Sequence, residues 1–309
     1  MTGAGTSELA FGKETTFKGS LADEDSDGTD DYWAFGRNQT LQELNLQNQL
    51  QRMRDAGAVE AANSLAGNVE GAVGVQAVVS NDVHADVHDV IFNSGGTSFT
   101  GGRTASARIF AGIDYLNGTA ERELIGCIPT EFSIDWQQGQ ATTFTLTMMY
   151  ADEEENASIT PSSITKPSDG SEVPHHGADL TVDAGSVQKL QSATLSISNI
   201  ARYHRGASRV AEDAVIAAPE TTLDFSAIIH STDYLDLAYG GGGADVSSTQ
   251  DSIESVSGSL SLSAAGTTVA TYDLPKIQPD THGWSDLVSA DNDATEDVSA
   301  HVNGGVSVA

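Results

Sequence analysis

Two stretches of this chain repeat one another. The first opens at Gln39-Thr40-Leu41-Gln42, passes Arg52 and Arg54, runs through Glu70-Gly71-Ala72-Val73-Gly74-Val75-Gln76-Ala77-Val78-Val79, and reaches a Gly-rich turn by Gly96. The second opens at Gln188-Lys189-Leu190-Gln191, passes Arg202 and Arg205, runs through Glu220 to Ile229, and reaches Gly240 to Gly243. The same features in the same order, roughly 150 residues apart, mark an internal duplication. A chain of 309 residues built this way is expected to fold as two similar modules, over 1–151 and 187–309, joined by an acidic linker or long loop at 152–186.

Each copy carries a strand and then a helix. Val73, Val75, Ala77 and Val79 alternate with smaller or polar residues, as a strand burying one face requires, and Leu223, Phe225 and Ala227 repeat the pattern. Behind the first strand, Asn81-Asp82 offers a helix N-cap, and Val83, Val87, Val90 and Ile91 fall on one stripe of a short amphipathic helix. In the second copy Thr232-Asp233 is the cap, followed by Tyr234, Leu235, Leu237 and Ala238.

Elsewhere the pattern is that of antiparallel strands. Leu9, Phe11 and Phe17 mark an opening strand and turn, and residues 55–66 are Ala-rich without a preference between helix and ordered loop. Four strands are expected over 104–150, with Asn117-Gly118 turning the first hairpin, Pro129 interrupting the return strand and Gln138-Gly139 turning the last. Ala193, Leu195, Ile197 and Ile200 resume the strands, and a second hairpin turns at Ala265-Gly266. After Gln278 the chain reads as an acidic tail with Trp284 and Leu287 as anchors, packed on a neighbour or left mobile.

Net charge is −30, from 44 acidic against 14 basic residues, and only Lys13, Lys18, Lys166, Lys189 and Lys276 are lysines. Stable binding to a phosphate backbone needs Lys and Arg to displace counterions, so this balance argues against it. Acids spread through nearly every loop fit adaptation to molar salt, where screening acts within about 3 Å, and a surface that repels an anion is compatible with the same charge. No basic and apolar leader stands at the start, and no apolar run approaches the roughly 20 residues of a membrane span, so the expectation is a soluble protein made in a cell.

Few residues suggest chemistry. Asp23, Asp25, Asp27, Gly28 and Asp31 follow the order of a calcium loop, although position twelve is Ala34 and no flanking helices are evident. His84 and His88 stand four apart, but Ala85 replaces the Glu of a zinc-protease motif, and the pair reads as the polar face of a surface helix. Cys127 is alone and reads as a small apolar strand residue, and His175-His176 as solvent-facing. The Gly240 to Gly243 run lacks the context of a phosphate loop, and no catalytic triad order stands out. No cofactor and no enzymatic activity are expected.

The opening Glu8-Leu9-Ala10-Phe11-Gly12-Lys13-Glu14-Thr15-Thr16-Phe17, the strand and helix over Val69 to Asn93, and the strand meander at 104–150 together resemble the tail tube proteins of long-tailed viruses of bacteria and archaea. The resemblance is one of pattern across most of the chain. It implies a mainly β fold of two tandem β-sandwich or barrel modules, each with a short flanking helix. It implies sixfold rings stacked into a hollow tube in the virion tail, and, with two copies per chain, trimeric rings of pseudo-sixfold symmetry. Six chains per ring, each with one enlarged sandwich, is the alternative.

Further partners would be the tape-measure and tail terminator proteins, with viral double-stranded DNA passing without specific binding and no membrane contact. The subunits would be made in the host cytoplasm, and acidity with Arg over Lys suggests a haloarchaeal host. Arg108, Asp114, Glu121 and Glu123, on the hairpin nearest the expected channel, are candidates for facing the lumen, and an exposed sheet face is the plain alternative. The 152–186 segment and the tail would touch neighbouring rings. The competing reading is a monomeric acidic β-sandwich of a halophile that binds calcium or polysaccharide.

Overall fold

The computed structural model describes residues 7–309 apart from 116, 162, 184 and 289–291. Residues 1–6, read above as carrying no leader, therefore lie outside the described residues, as does one residue of the first hairpin turn. In the first half the strands are β1 (Ser7–Lys13), β2 (Arg37–Gln47), β3 (Gln51–Met53), β4 (Asn63–Leu65) and β5 (Glu70–Val78). Helix α1 (His84–Ile91) follows, then β6 (Ala107–Tyr115), β7 (Gly118–Gln137), β8 (Thr143–Tyr150) and β9 (Asp152–Asn156). The second half has β10 (Ala178–Val182), β11 (Gly185–Ser186), β12 (Leu190–Ser198), β13 (Ala201–His204), β14 (Asp213–Ile216) and β15 (Glu220–Ile228). Helix α2 (Asp233–Tyr239) precedes β16 (Val256–Ala264), β17 (Thr267–Ser285), β18 (Thr295–Asn303) and β19 (Ser307–Val308).

The pairing order of the first half recurs in the second. Strand β2 pairs β5, β5 pairs β8, β8 pairs β7, and β7 pairs β6, which pairs β1. Likewise β12 pairs β15, β15 pairs β18, β18 pairs β17, and β17 pairs β16, which pairs β10. The hairpin β3–β4 corresponds to β13–β14, and β9 on β7 corresponds to β19 on β17. All of these strand pairs are antiparallel, and the fold is mainly β.

Long strands do the work of connecting layers. Strand β7 runs through Pro129 rather than stopping there, so the four strands expected over 104–150 are three. Its early residues pair β6 and β9, and from Ile128 on it pairs β8, with register shifts around Pro129. Gly126, at φ +65, lies just before the change of partner, in a backbone region that side chains with a Cβ rarely enter. At the second hairpin Ala264 pairs Thr267, and Ala265 (φ 48) with Gly266 (φ 80) forms the type I′ turn whose twist matches its strands.

Two readings of the sequence are corrected. The acidic tail is no tail, since β17 continues to Ser285 and β18 lies between β15 and β17 with Val298, Ala300 and Val302 buried. The acids at Glu296 and Asp297 hid a period-2 pattern that becomes visible only when the strand is paired. Within 152–186, β9 and β10 are strands and Val173 is fully buried, exchanging backbone hydrogen bonds with Val79 and Thr142.

The core is continuous through both halves. Phe132, Phe144, Leu146 and Tyr150 of the first meet Leu195, Ile197, Leu223 and Tyr272 of the second in one cluster. Val83, at the start of α1, and Val87, Val90 and Ile91 within it are buried as their stripe predicts. The predicted N-cap does not form: Val83 holds the cap position, and the Asp82 carboxylate accepts the Ser168 amide at 2.7 Å.

Candidate assembly interface and channel face

The two halves join through a sheet edge. In β7, Phe132, Ile134 and Trp136 pair with Ile197, Leu195 and Ala193 of β12, making one sheet from β2 at one end through both halves. The corresponding pair in the repeat is β17 beyond Gln278 and β2. Among the described residues these are left with a free edge each, β2 bonded to β5 alone and the last part of β17 to β18 alone. Unpaired N–H and C=O groups along a strand edge are a template for pairing with another chain.

Exposure follows the same logic. By register, Leu44 and Leu46 of β2 correspond to Leu195 and Ile197 of β12, because they face Val73 and Gly71 where the latter face Leu223 and Thr221. Leu195 and Ile197 are 1% exposed, whereas Leu46 is 46% exposed, and Trp284 on the free edge of β17 is also 46% exposed. These apolar side chains lack the cover their repeats receive.

One face of the joined sheet is apolar and buried, and the other is hydroxyl-rich. Thr143, Thr145 and Thr147 alternate with buried Phe144, Leu146 and Met148, and Ser192, Thr194 and Ser196 alternate with Ala193, Leu195 and Ile197. Carboxylates on that side include Glu131, Asp135, Glu220, Asp224 and Asp297, and Thr194 Oγ1 donates to Asp135 at 3.0 Å across the join. Strands β8, β12, β15 and β18 contain no Lys or Arg.

The profile of the phage tail tube protein family matches residues 5–303. The chain belongs to the phage tail tube protein family. No curated protein matches it. Family membership makes this a structural component of the virion that self-assembles into a tube; among the described residues no helix is long and apolar enough to cross a membrane.

In this tail tube protein the hairpin residues singled out from sequence are partly tied up within the chain. Glu121 is fully buried, accepting the Thr160 amide at 2.9 Å and Asn156 Nδ2 at 3.0 Å, so it reaches no solvent and the lumen expectation fails for it. Glu123 pairs with Arg108 at 2.8 Å, and Arg108 also donates to the Gly19 carbonyl. Asp114 is exposed near the hairpin end, accepting Thr119 Oγ1 at 2.5 Å.

The carboxylates of Asp23, Asp25 and Asp27 have oxygens within 4.8 Å of one another on an exposed loop. Those oxygens accept the Asp27 and Gly28 amides, and hydrogen bonds from Thr29 lower the Asp27 pKa. Asp31 turns elsewhere, to the Glu24 amide at 2.6 Å.

The surface-helix reading of His84 and His88 is wrong. Both are buried, and their Nε2 atoms lie 2.9 and 2.7 Å from one acceptor-donor, the Tyr272 hydroxyl of the second half. Burial lowers the His88 pKa to about 3, and burial with repulsion from His88 takes His84 well below its ordinary value. Both rings are therefore neutral. His84 Nδ1 has no partner, so the less costly tautomer carries its proton on Nε2, donated to Tyr272, whose own hydroxyl proton goes to His88. Cys127 is buried and its thiol pKa pushed up, the inert state expected for it.

Sequence reasoning did not single out Glu131, Asp135, Glu220, Asp224 and Asp297, the carboxylates named above on the hydroxyl-rich face. A signal was present, since each stands at the polar position of an alternating strand. What it lacked was which face of the sheet would stay open.

Proposed function

We propose that this protein polymerises as stacked trimeric rings of pseudo-sixfold symmetry, forming the hollow tube through which viral double-stranded DNA leaves the virion. The observation that carries the reading is the β7–β12 join, made once inside the chain and left incomplete at β2 and β17. Repeating it between copies pairs Leu44 with Trp284 and Leu46 with His282, by analogy with Leu195 on Ile134 and Ile197 on Phe132. Closure then leaves no free edge in the sheet that runs from β2 to the last part of β17.

Each chain supplies eight strands to the closed sheet: β2, β5, β8, β7, β12, β15, β18 and β17. Three chains give twenty-four, and strands about 4.8 Å apart tilted by about 40° close at a backbone diameter of about 48 Å. Six such chains would double it, far beyond what a duplex needs. The hydroxyl and carboxylate face, rather than the Arg108–Glu123 hairpin, would line this channel. Carboxylates there repel phosphate and hydroxyls bind it weakly, so DNA slides without sticking. Tape-measure and terminator proteins would act inside and at the end of such a tube, in a long non-contractile tail.

The test is electron cryomicroscopy of the purified protein across salt concentrations, with Leu46→Lys/Trp284→Lys in parallel. Hollow tubes with three chains per ring are expected for the unmodified chain, and none for the variant, whose melting temperature as a free chain stays unchanged. Six chains per ring, or a monomer under every condition, refutes the reading.

A further inference from the structure

A cleft of about 680 Å³ opens between the β1–β6–β7 layer and β2, lined by Leu9, Leu41, Leu44, Ala111, Ile113 and Arg122 among others. Its counterpart in the second half is filled. Leu9 pairs with Ala111, which pairs with Arg122, and Ile113 pairs with Ala120; in the repeat Leu180 pairs with Leu260, which pairs with Tyr272, and Leu262 pairs with Ala270. Leu180, Leu260, Leu262, Ala270 and Tyr272 are all buried, whereas Ile113 is 39% exposed. Helix α1 of the first half supplies cover there, with His84 and His88 on the Tyr272 hydroxyl and Phe132 beneath, its ring centre 6.4 Å from that of Tyr272.

Helix α2 has no such roof. Tyr234 lies six residues past the end of β15, as His84 lies six past β5, so Tyr234 and Ala238 occupy the places of His84 and His88. Both are only half-buried. The floor beneath has also changed. Register places Glu296 where the first half has Phe144, and His282 where it has Phe132. Glu296 is 1% exposed; one oxygen lies 3.2 Å from His282 Nε2, and Oε1 has no hydrogen-bond partner. An unpartnered buried carboxylate oxygen is costly and calls for a donor.

We infer that, in the ring proposed above, α2 of one copy seats in the Leu9–Ile113–Arg122 cleft of the next, where Arg122 meets Glu296. Arg122 is positioned for this. It holds Glu153 through Nε and Nη2, and its Nη1 makes only a 3.5 Å contact to the Leu44 carbonyl. Where the junction within the chain joins aromatic and neutral imidazole groups through Tyr272, the junction between chains would join a guanidinium to a carboxylate. The two junctions are built from corresponding positions but differ in chemistry, so α1 and α2 are not interchangeable in register.

The test mixes two single variants, Ile113→Cys and Ala238→Cys, assembles them together and treats the tubes with a short bismaleimide; native Cys127 is buried and does not compete. A crosslinked two-chain species is expected in mixed tubes and not in either variant alone. Glu296→Gln, made separately, is expected to raise the concentration needed for assembly at least about tenfold, while the free chain melts no lower, because a buried carboxylate with one oxygen left without a donor has been replaced by a neutral amide. Tubes that form without the mixed crosslink, or with assembly indifferent to Glu296→Gln, overturn this inference and leave the ring reading standing. A chain that never assembles overturns both.

Discussion

Acidification should unmask the buried imidazoles of α1. His88 has a folded pKa of about 3 because burial opposes its charge, against an ordinary value near 6.5. The folded pKa is the lower one, so the unfolded chain takes up the proton first. The stabilising contribution is whole above about pH 6.5 and is lost as pH falls towards 3. Across most of that window each pH unit costs on the order of 1 kcal/mol, so from pH 6.5 to 4.5 His88 alone removes roughly 2 kcal/mol. At roughly 2–4 °C per kcal/mol for a chain of this size, that is a fall in melting temperature of roughly 4–8 °C. Carboxylates also titrate there, and with a net charge of −30 they act in the opposite sense by relieving repulsion. The clean measurement is therefore a difference between the native chain and His88→Leu, melted at constant high salt from pH 7 to 4.5. The variant keeps the carboxylates and the size of the buried side chain, and should lose much less on acidification. Parallel pH profiles for the two would refute the assignment of neutral, solvent-excluded imidazoles at the Tyr272 hydroxyl.

Two further outcomes follow from contacts within single layers. Lys13 is buried at the end of β1, with Asp86 and Asp89 of α1 and Glu24 all at 2.8–2.9 Å; burial opposes its charge, yet hydrogen bonds to these three carboxylates hold its pKa above the ordinary value. Lys13→Met should destabilise the free chain by about 2 kcal/mol in urea melts, discounted because Asp89 and Glu24 are half-exposed, and an unchanged midpoint would remove the cluster from any role in fixing α1. Ala265→Asn should raise stability by about 0.5 kcal/mol, because Asn tolerates the positive φ of the type I′ turn better than Ala does, and a loss of stability would contradict the turn geometry.

The duplication, the strand alternation and both helices were legible because each is local. A period of two needs only neighbours in sequence, and Val73-Val75-Ala77 and Leu223-Phe225-Ala227 carry it plainly. Where acids occupied the solvent positions of a strand, as in β18, the same period passed for a tail. Pro129 looked like a stop because proline ends most strands, but a strand that changes partners at a bulge has a place for it. His84 and His88 looked like a polar helix face because polarity does not reveal what packs above it, and the Tyr272 hydroxyl comes from 184 residues further along.

By itself, the sequence determined that one strand-and-helix pattern recurs along a strongly acidic chain, because repetition, periodicity and charge are written residue by residue. Only the tertiary structure decided which strand of the first copy meets the second, which edges are left open among the described residues, and that Glu121 is buried and Glu123 is paired with Arg108. Those choices depend on pairings between residues far apart in the chain, and hydrogen bonds along a sheet edge leave no trace in local sequence. In the proposed ring, the β7–β12 join, made once within the molecule and left unmade at its ends, is where a repeat in sequence would turn into a subunit that closes on its own copies.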